Sequence, residues 1–156
     1  MTIVVMARYC RPPPIRSRTT TDPTKPISGR FLRNRGRSGM APEESAALEA
    51  SFEDVRTIRA RKTLVHRDEP VLRSTFLIEG LMCRYLDDQQ GYRQLLGVHI
   101  PGDFVDLHGF PLGHLDHDVA TLTEARIATL PREKLLDLVA RYPNLAKILW
   151  RSTMLD

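Results

Sequence analysis

The chain has 156 residues, of which 42% are hydrophobic, so it can form one domain with a buried core. Its formal charge of +4 is unevenly divided: residues 1–40 carry nine Lys/Arg and one acid, whereas residues 41–156 carry 14 basic and 18 acidic groups. The acidic balance of the larger part argues against a basic nucleic-acid-binding face on the folded domain. The two cysteines, Cys10 and Cys83, are far apart in sequence, which excludes a CxxC redox motif or a thiolate metal site.

The N-terminal sequence predicts neither a membrane helix nor a secretion signal. The longest apolar run there is residues 3–6, far below the roughly 20 residues that a membrane span needs. No basic residue precedes this run, as one would in a signal peptide. We therefore expect a cytoplasmic protein that does not associate with membranes.

Residues 1–28 predict a disordered, basic extension rich in proline and arginine. The stretch RPPPIRSRTTTDPTKP has almost no apolar periodicity, so it cannot bury enough surface to offset its ordering entropy. One interpretation is an arm that contacts nucleic acid or acidic lipid without specificity. The other is an inert extension, in which case Met40 rather than Met1 is the true start.

A helix followed by many short strands is predicted after this extension. In APEESAALEASF, Pro42 suits the first helical position and the two glutamates suit the positive end of the helix dipole. From Asp54 onward, short runs rich in β-branched and aromatic residues alternate with turn sequences such as RDEP, DDQQG and PGD. Gly91 can close a hairpin. The pattern predicts a mainly β fold, either a sandwich or a barrel-like β-roll.

Helices are predicted again after a last strand at residues 125–130. Pro131 begins one helix, and Pro143 separates it from a second. The second carries apolar or small side chains at spacings of three, four and three, which is typical of a dimerisation seam: Leu145, Ile148, Ser152 and Leu155. The stripe is still running at Asp156, which indicates a partner helix, a truncation, or both.

This order of elements resembles the N-terminal sensor half of Crp/Fnr-type bacterial transcription regulators. The resemblance is carried by FLIEGLMCRYL at 76–86, QLLGVHIPGDFVDL at 94–107 and the segment from ATLTEARIATL to NLAKILW at 120–150. It implies a cyclic-nucleotide-binding-like β-roll, a double-stranded β-helix or jelly roll, at residues 42–142. Residues 143–156 would then begin a dimerisation helix. The implied function is ligand sensing by a homodimer, without catalysis.

The chain departs from that family at the position of its phosphate clamp. Members that bind a cyclic nucleotide hold the phosphate with an arginine followed by a small hydroxyl residue, shortly before the strand that matches 119–123. Here the stretch reads Leu115-Asp116-His117-Asp118. The guanidinium fork that matches phosphate geometry is missing, and two carboxylates would repel the anion. We therefore expect no cyclic nucleotide cofactor and no tight binding of cyclic AMP.

The resemblance still places a small-ligand site in this region, with the ligand unknown. Gly102 and Asp103 match the family's Gly-Asp turn, and the clamp region follows it. The expected contacts are Gly102, Asp103, His114, Asp116 and His117. Regulators of this type also carry a helix-turn-helix module after the long helix, and the sequence stops before one. DNA binding is expected only through such a module.

The histidines of residues 101–118 allow two other interpretations. A cupin-like β-roll enzyme would bind a metal with His108, His114 and His117 together with an aspartate. The spacing does not support it, because His114 and His117 would point to opposite faces of a strand and no His-x-His pair occurs. A solvated loop with pH-sensitive histidines is the second alternative.

Overall fold

The computed structural model describes residues 25–32 and 39–154. Three helices and seven strands follow in the order α1 (Pro42–Ser51), β1 (Glu53–Ile58), β2 (Thr63–Val65), β3 (Arg73–Glu79), β4 (Met82–Asp87), β5 (Arg93–His99), β6 (Asp118–Thr121), β7 (Ala125–Pro131), α2 (Arg132–Arg141) and α3 (Pro143–Thr153). Short 3-10 turns lie at Ile27–Arg30 and Leu107–Gly109. The predicted mainly β fold with flanking helices is confirmed.

The strands form two antiparallel sheets that enclose a core. One sheet has the order β1-β7-β3 and the other the order β2-β6-β4-β5. Side chains from both sheets meet in one inner cluster, which includes Leu77 of β3, Met82 of β4, Val119 of β6 and Ile127 of β7. Strands that face each other across such a cluster form the closed roll that the strand pattern predicted.

The first sheet is covered on its second face by the helices. Phe76 of β3 and Leu130 of β7 point away from the inner cluster and pack with Leu48, Leu135 and Leu145 of the three helices. All five side chains are fully buried. Burial on both faces explains why β3 reads as a continuous apolar run rather than as an alternating one. None of the helices in the described ranges is long and apolar enough to cross a bilayer.

The N-terminal boundary of the folded domain lies earlier than predicted. The backbone N–H groups of Ile27 and Ser28 donate to the Glu49 carboxylate at 3.0 and 2.6 Å, and Ser28 and Phe31 are buried. Placing Ile27 and Ser28 in a disordered extension was therefore wrong, because an apolar anchor inside the arginine-rich sequence docks onto α1. The rest of the predicted extension, residues 1–24, lies outside the described residues.

The C-terminal boundary also differs, because α3 belongs to the core of the same domain. Leu145, Ile148 and Ser152, the predicted dimerisation stripe, are 0%, 5% and 9% exposed within the single chain. Glu44 of α1 fixes the helix start by accepting the Leu145 N–H at 3.0 Å. The stripe covers the first sheet, so in this structure it is not an exposed pairing face. Leu155 lies outside the described residues.

Candidate ligand site

The Gly102-Asp103 turn is built against the N-terminal segment. Gly102 has φ +104°, and a Cβ there would lie 2.4 Å from the Arg30 carbonyl oxygen, so only glycine fits. The Asp103 carboxylate accepts the Ile100 N–H at 3.0 Å, and Phe104 then pairs with Phe76 at the edge of β3. Both predicted ligand contacts in this turn are buried and serve the local fold.

The stretch that resembles the family's phosphate clamp in position carries side chains of other types. Leu115 is 1% exposed and belongs to the inner cluster, whereas the Asp116 side chain is 90% exposed. Asp118 accepts the Arg67 N–H at 3.0 Å and lies 3.4 Å from the His66 Nδ1 atom. This stretch therefore presents an apolar side chain and carboxylates where a phosphate clamp would present a guanidinium and a hydroxyl.

His108 and His117, nine positions apart, meet in the structure. Their Nε2 atoms are 3.1 Å apart, and their rings stack with centroids 4.9 Å apart and planes 17° apart. Gly109 allows this approach, because a Cβ there would lie 2.3 Å from a Leu115 methyl group. The 3-10 turn that carries His108 can therefore pack directly on residues 115–117.

The protons of this pair are ordered by Asp116. The His117 Nδ1 atom lies 2.6 Å from the Asp116 carboxylate, and that hydrogen bond holds the pKa of Asp116 below its usual value. An ionised carboxylate only accepts, so the Nδ1 atom of His117 donates to Asp116. The other nitrogen of His108, Nδ1, is buried with no hydrogen-bond partner among the described residues.

The electrostatic surroundings keep His108 neutral. Burial lowers the pKa of His108 to about 4, with further lowering by the charge of Arg84 and by His117; Asp116 acts in the opposite direction. Desolvation disfavours the charged imidazolium in the same way for any buried histidine. At neutral pH His108 is therefore a neutral imidazole, and the charge of Arg84 helps to keep it so.

Arg84 is the functional candidate that the sequence did not reveal. It lies between Met82 and Leu86 on β4 and pairs with Val119, so it shares the inner face of the roll with Met82. Its guanidinium lies over Gly97 of β5, where a Cβ would come within 2.9 Å of it. The Nε atom of Arg84 is buried and has no hydrogen-bond partner in the described part of the chain.

Asp106 is a second buried ionisable group that sequence reasoning missed. It is fully buried, and both of its carboxylate oxygens accept the Thr75 N–H, at 2.8 and 3.0 Å. Burial raises the pKa of Asp106 to about 7, although the hydrogen bonds from Thr75 oppose the rise. Asp106 precedes the turn that carries His108, so it fixes that turn to β3.

The metal-site alternative is not assembled by this geometry. His114 is exposed and forms an isolated bridge with Pro70, whereas the stacked pair consists of His108 and His117. Within residues 25–32 and 39–154, no three His, Cys, Asp or Glu side chains are placed to hold an ion. Of the three histidines proposed as metal ligands, two come together and the third does not.

Comparisons with known proteins agree with this architecture. The family model described as "Cyclic nucleotide-binding domain" matches residues 55–142. No curated protein matches the sequence. The N-terminal domain of a transcriptional regulator from Streptomyces coelicolor A3(2) superposes with a TM-score of 0.64 at 23% identity, over 83% of this chain and 88% of that one.

Two further solved structures are longer than this chain. The catabolite activator protein of Thermus thermophilus has a TM-score of 0.63 at 22% identity, with 73% of this chain and 54% of that chain covered. The c-di-GMP responsive regulator CLP of Xanthomonas campestris has a TM-score of 0.62 at 18% identity, with 73% and 56% covered. The chain thus spans about half of each, and the resemblance in fold to the sensor half of Crp/Fnr-type regulators is confirmed. The chain belongs to the cyclic nucleotide-binding domain family.

Proposed function

We propose that this chain senses a small ligand for a transcription regulator and does not bind cyclic AMP tightly. The observation that carries the proposal is the stretch Leu115–Asp118, in which a buried leucine and carboxylates stand where the family's phosphate clamp would be. The described regulator from Xanthomonas campestris responds to c-di-GMP, so this fold is compatible with ligands other than cyclic AMP.

The energetic argument rests on the lost arginine. A hydrogen bond to a charged group contributes roughly 1.5–3 kcal/mol, and an arginine that grips a phosphate forms two at once. Micromolar binding corresponds to about −8 kcal/mol, so losing such a pair removes a large share of it. The exposed carboxylate of Asp116 adds repulsion toward any phosphate placed at this stretch.

Calorimetric titration of the chain with cyclic AMP tests the proposal. We expect a dissociation constant weaker than about 1 mM, which corresponds to about −4 kcal/mol. A dissociation constant in the micromolar range or below overturns the proposal.

We also propose that the protein acts as a homodimer, through a surface other than the stripe of Leu145, Ile148 and Ser152. These side chains are buried in the single chain, so pairing through them would require α3 to leave the first sheet. Light scattering on the purified chain measures the mass directly, and substitutions on the exposed face of α3, such as Lys147→Glu, should weaken any dimer that uses it. A monomeric mass at high protein concentration would refute the proposed homodimer.

DNA recognition is assigned to a helix-turn-helix module other than α2 and α3. Both helices pack their apolar faces in the cluster that includes Phe76 and Leu130, and residues 41–156, with 14 basic and 18 acidic groups, lack the excess of positive charge that binds a DNA backbone. Ligand binding in the roll would then act on DNA by shifting the balance between two arrangements of the C-terminal helices.

A further inference from the structure

We propose that Arg84 and His108 bind the oxyanion of a small ligand inside the roll. The inference deepens the proposed sensor function by assigning the ligand's anionic group to side chains on β4 and on the Leu107–Gly109 turn. These two side chains would take the place of the phosphate clamp that residues 115–118 lack.

The first argument is the charge of Arg84. Its guanidinium lies on the inner face of the roll, half-buried, and no carboxylate in the described ranges forms an ion pair or hydrogen bond with it. Its buried Nε–H lacks a partner, and a polar group buried in this way is costly. Proteins retain such a group where a bound anion supplies the missing partner, and the planar fork of arginine suits phosphate and carboxylate groups.

The second argument is that nearby carboxylates are already engaged. Asp116 is held by His117, Asp118 by the Arg67 N–H, and Asp106 by the Thr75 N–H. None of the three forms an ion pair with Arg84. The charge of Arg84 does act on His108, whose pKa it lowers. The cation is therefore free to interact with an anion that enters the roll.

The third argument is the space that Gly97 leaves. A methyl group at this position would lie 2.9 Å from one terminal nitrogen of Arg84 and 3.2 Å from its Nε atom. The guanidinium can approach the backbone of β5 this closely only because residue 97 has no side chain. An alanine there would displace the guanidinium while keeping its charge, which provides a test of position separate from a test of charge.

His108 supplies the complementary contact. Its Nδ1 atom is buried and unpartnered, and in a neutral imidazole such a nitrogen either donates or accepts, depending on the tautomer. Monohydrogen phosphate can accept from Arg84 with one oxygen and, in either tautomer of His108, can donate to this nitrogen or accept from it. Acetate can only accept. The geometry therefore favours a phosphate-type group over a carboxylate, and the two can be distinguished directly.

The groups that face His108 predict how binding depends on pH. They are Arg84 on β4, His117 and Asp116 before β6. An anion beside His108 counters the effect of the Arg84 charge, so binding should raise the pKa of His108 and draw a proton onto it. For an anion whose own charge does not change between pH 5 and 8, affinity should therefore increase as pH falls toward 5.

The test is an NMR titration of the full chain, labelled with ¹⁵N, using inorganic phosphate and, separately, sodium acetate at constant ionic strength. We expect the Arg84 Nε–H signal and the His108 imidazole nitrogens to shift and saturate with phosphate, at lower concentration than with acetate. Arg84→Met should weaken phosphate binding about tenfold or more. Gly97→Ala should weaken it while the charge is unchanged.

Arg93→Met is the matched control. Arg93 carries the same charge on the next strand, but it pairs with Asp87 at 2.8 Å and stacks over the Tyr85 ring on the outer face. This variant should bind phosphate as the parent chain does. Equal loss in Arg93→Met and Arg84→Met, or shifts that rise linearly without saturation, would overturn the proposal.

Cyclic AMP binding by the parent chain and by Arg84→Met distinguishes a failure of the anion site from a failure of the proposed function. Tight cyclic AMP binding that survives Arg84→Met would refute both ideas. Tight cyclic AMP binding that Arg84→Met abolishes would refute the proposed function and support the anion site. Saturable phosphate binding with no tight cyclic AMP binding supports both.

Discussion

Replacing Asp106 with asparagine should change how stability depends on pH. The carboxyl group is fully buried, and its pKa rises from 3.8 to about 7 because burial disfavours the charged form. Below about pH 4 the group is protonated in both the folded and the unfolded chain. Between about pH 4 and 7 the unfolded chain releases this proton and the folded chain keeps it, so the free energy of unfolding falls as pH rises.

The magnitude follows from the shift. A difference between 3.8 and about 7 corresponds to about 4 kcal/mol at 1.36 kcal/mol per unit. The free energy of unfolding of the parent chain therefore falls by this amount between about pH 4 and 7. Above pH 7 the contribution of Asp106 no longer changes. Asparagine does not titrate and keeps an oxygen that can accept the Thr75 N–H. The stability of Asp106→Asn relative to the parent should therefore increase by about 4 kcal/mol over this range.

His108 acts in the opposite direction in both proteins. Its pKa is lowered to about 4, so the unfolded chain binds a proton that the folded chain does not between about pH 4 and 6.5. The contribution of His108 to the free energy of unfolding therefore rises with pH. The parent chain should consequently show a shallow pH profile, whereas Asp106→Asn should show the rising contribution of His108 alone.

Urea unfolding between pH 4.5 and 8.5, followed by the fluorescence of the single tryptophan, Trp150, gives both profiles. The exposed substitution Asp137→Asn is the control and should change stability by no more than about 0.5 kcal/mol at any pH. A constant difference between Asp106→Asn and the parent across this range would refute the reasoning about the buried carboxyl group.

Three further predictions follow from other contacts. Glu44→Ala removes the acceptor of the Leu145 N–H, so it should destabilise the chain by about 2–3 kcal/mol in urea unfolding, whereas the exposed Glu43→Ala should have little effect; equal effects would contradict the tie between α1 and α3. Gly102→Ala meets the Arg30 carbonyl oxygen and a positive φ, so it should lower the thermal midpoint, and an unchanged midpoint would show that the turn does not need glycine. Arg84→Met should leave stability unchanged or improve it, because no ion pair is lost, and a loss above about 1 kcal/mol would mark Arg84 as structural.

The strands and turns could be predicted from the sequence because their signals are local. The loop at residues 87–91 joins β4 and β5 as the sequence DDQQG indicated, and Gly91 has φ +83°. The last strand and the helix after Pro131 also lie where the pattern placed them. Each of these signals comes from a few neighbouring residues, so it survives without knowledge of the tertiary fold.

The seam of α3 could not be predicted in the same way. Periodicity identifies which face of a helix is apolar, but not what covers that face. Leu145 and Ile148 form a heptad-like stripe, and the structure buries them under the chain's own sheet. The same limit applies at the N terminus, where Phe31 is an isolated aromatic residue among arginines and is fully buried.

The candidate site could be predicted only in part. His117 and Asp116 were predicted as polar contacts of a ligand, which stays a prediction, and the structure joins the two by a hydrogen bond; the missing phosphate clamp was visible in the residue types. The pairing of His117 with His108 depends on a close approach at Gly109 that no local pattern encodes. Arg84 was missed because an arginine in a strand usually faces solvent, and only the pairing with Gly97 and Val119 places it on the inner face.

The most direct test of whether the roll holds a cyclic-phosphate site is a map of backbone and side-chain NMR shifts on addition of cyclic AMP. We expect the largest shifts at the Arg84 Nε–H and at His108, with no saturation below about 1 mM, because residues 115–118 lack the groups that grip a cyclic phosphate. Saturation at micromolar cyclic AMP, with the largest shifts at the backbone amides of residues 115–118, would contradict the assignment.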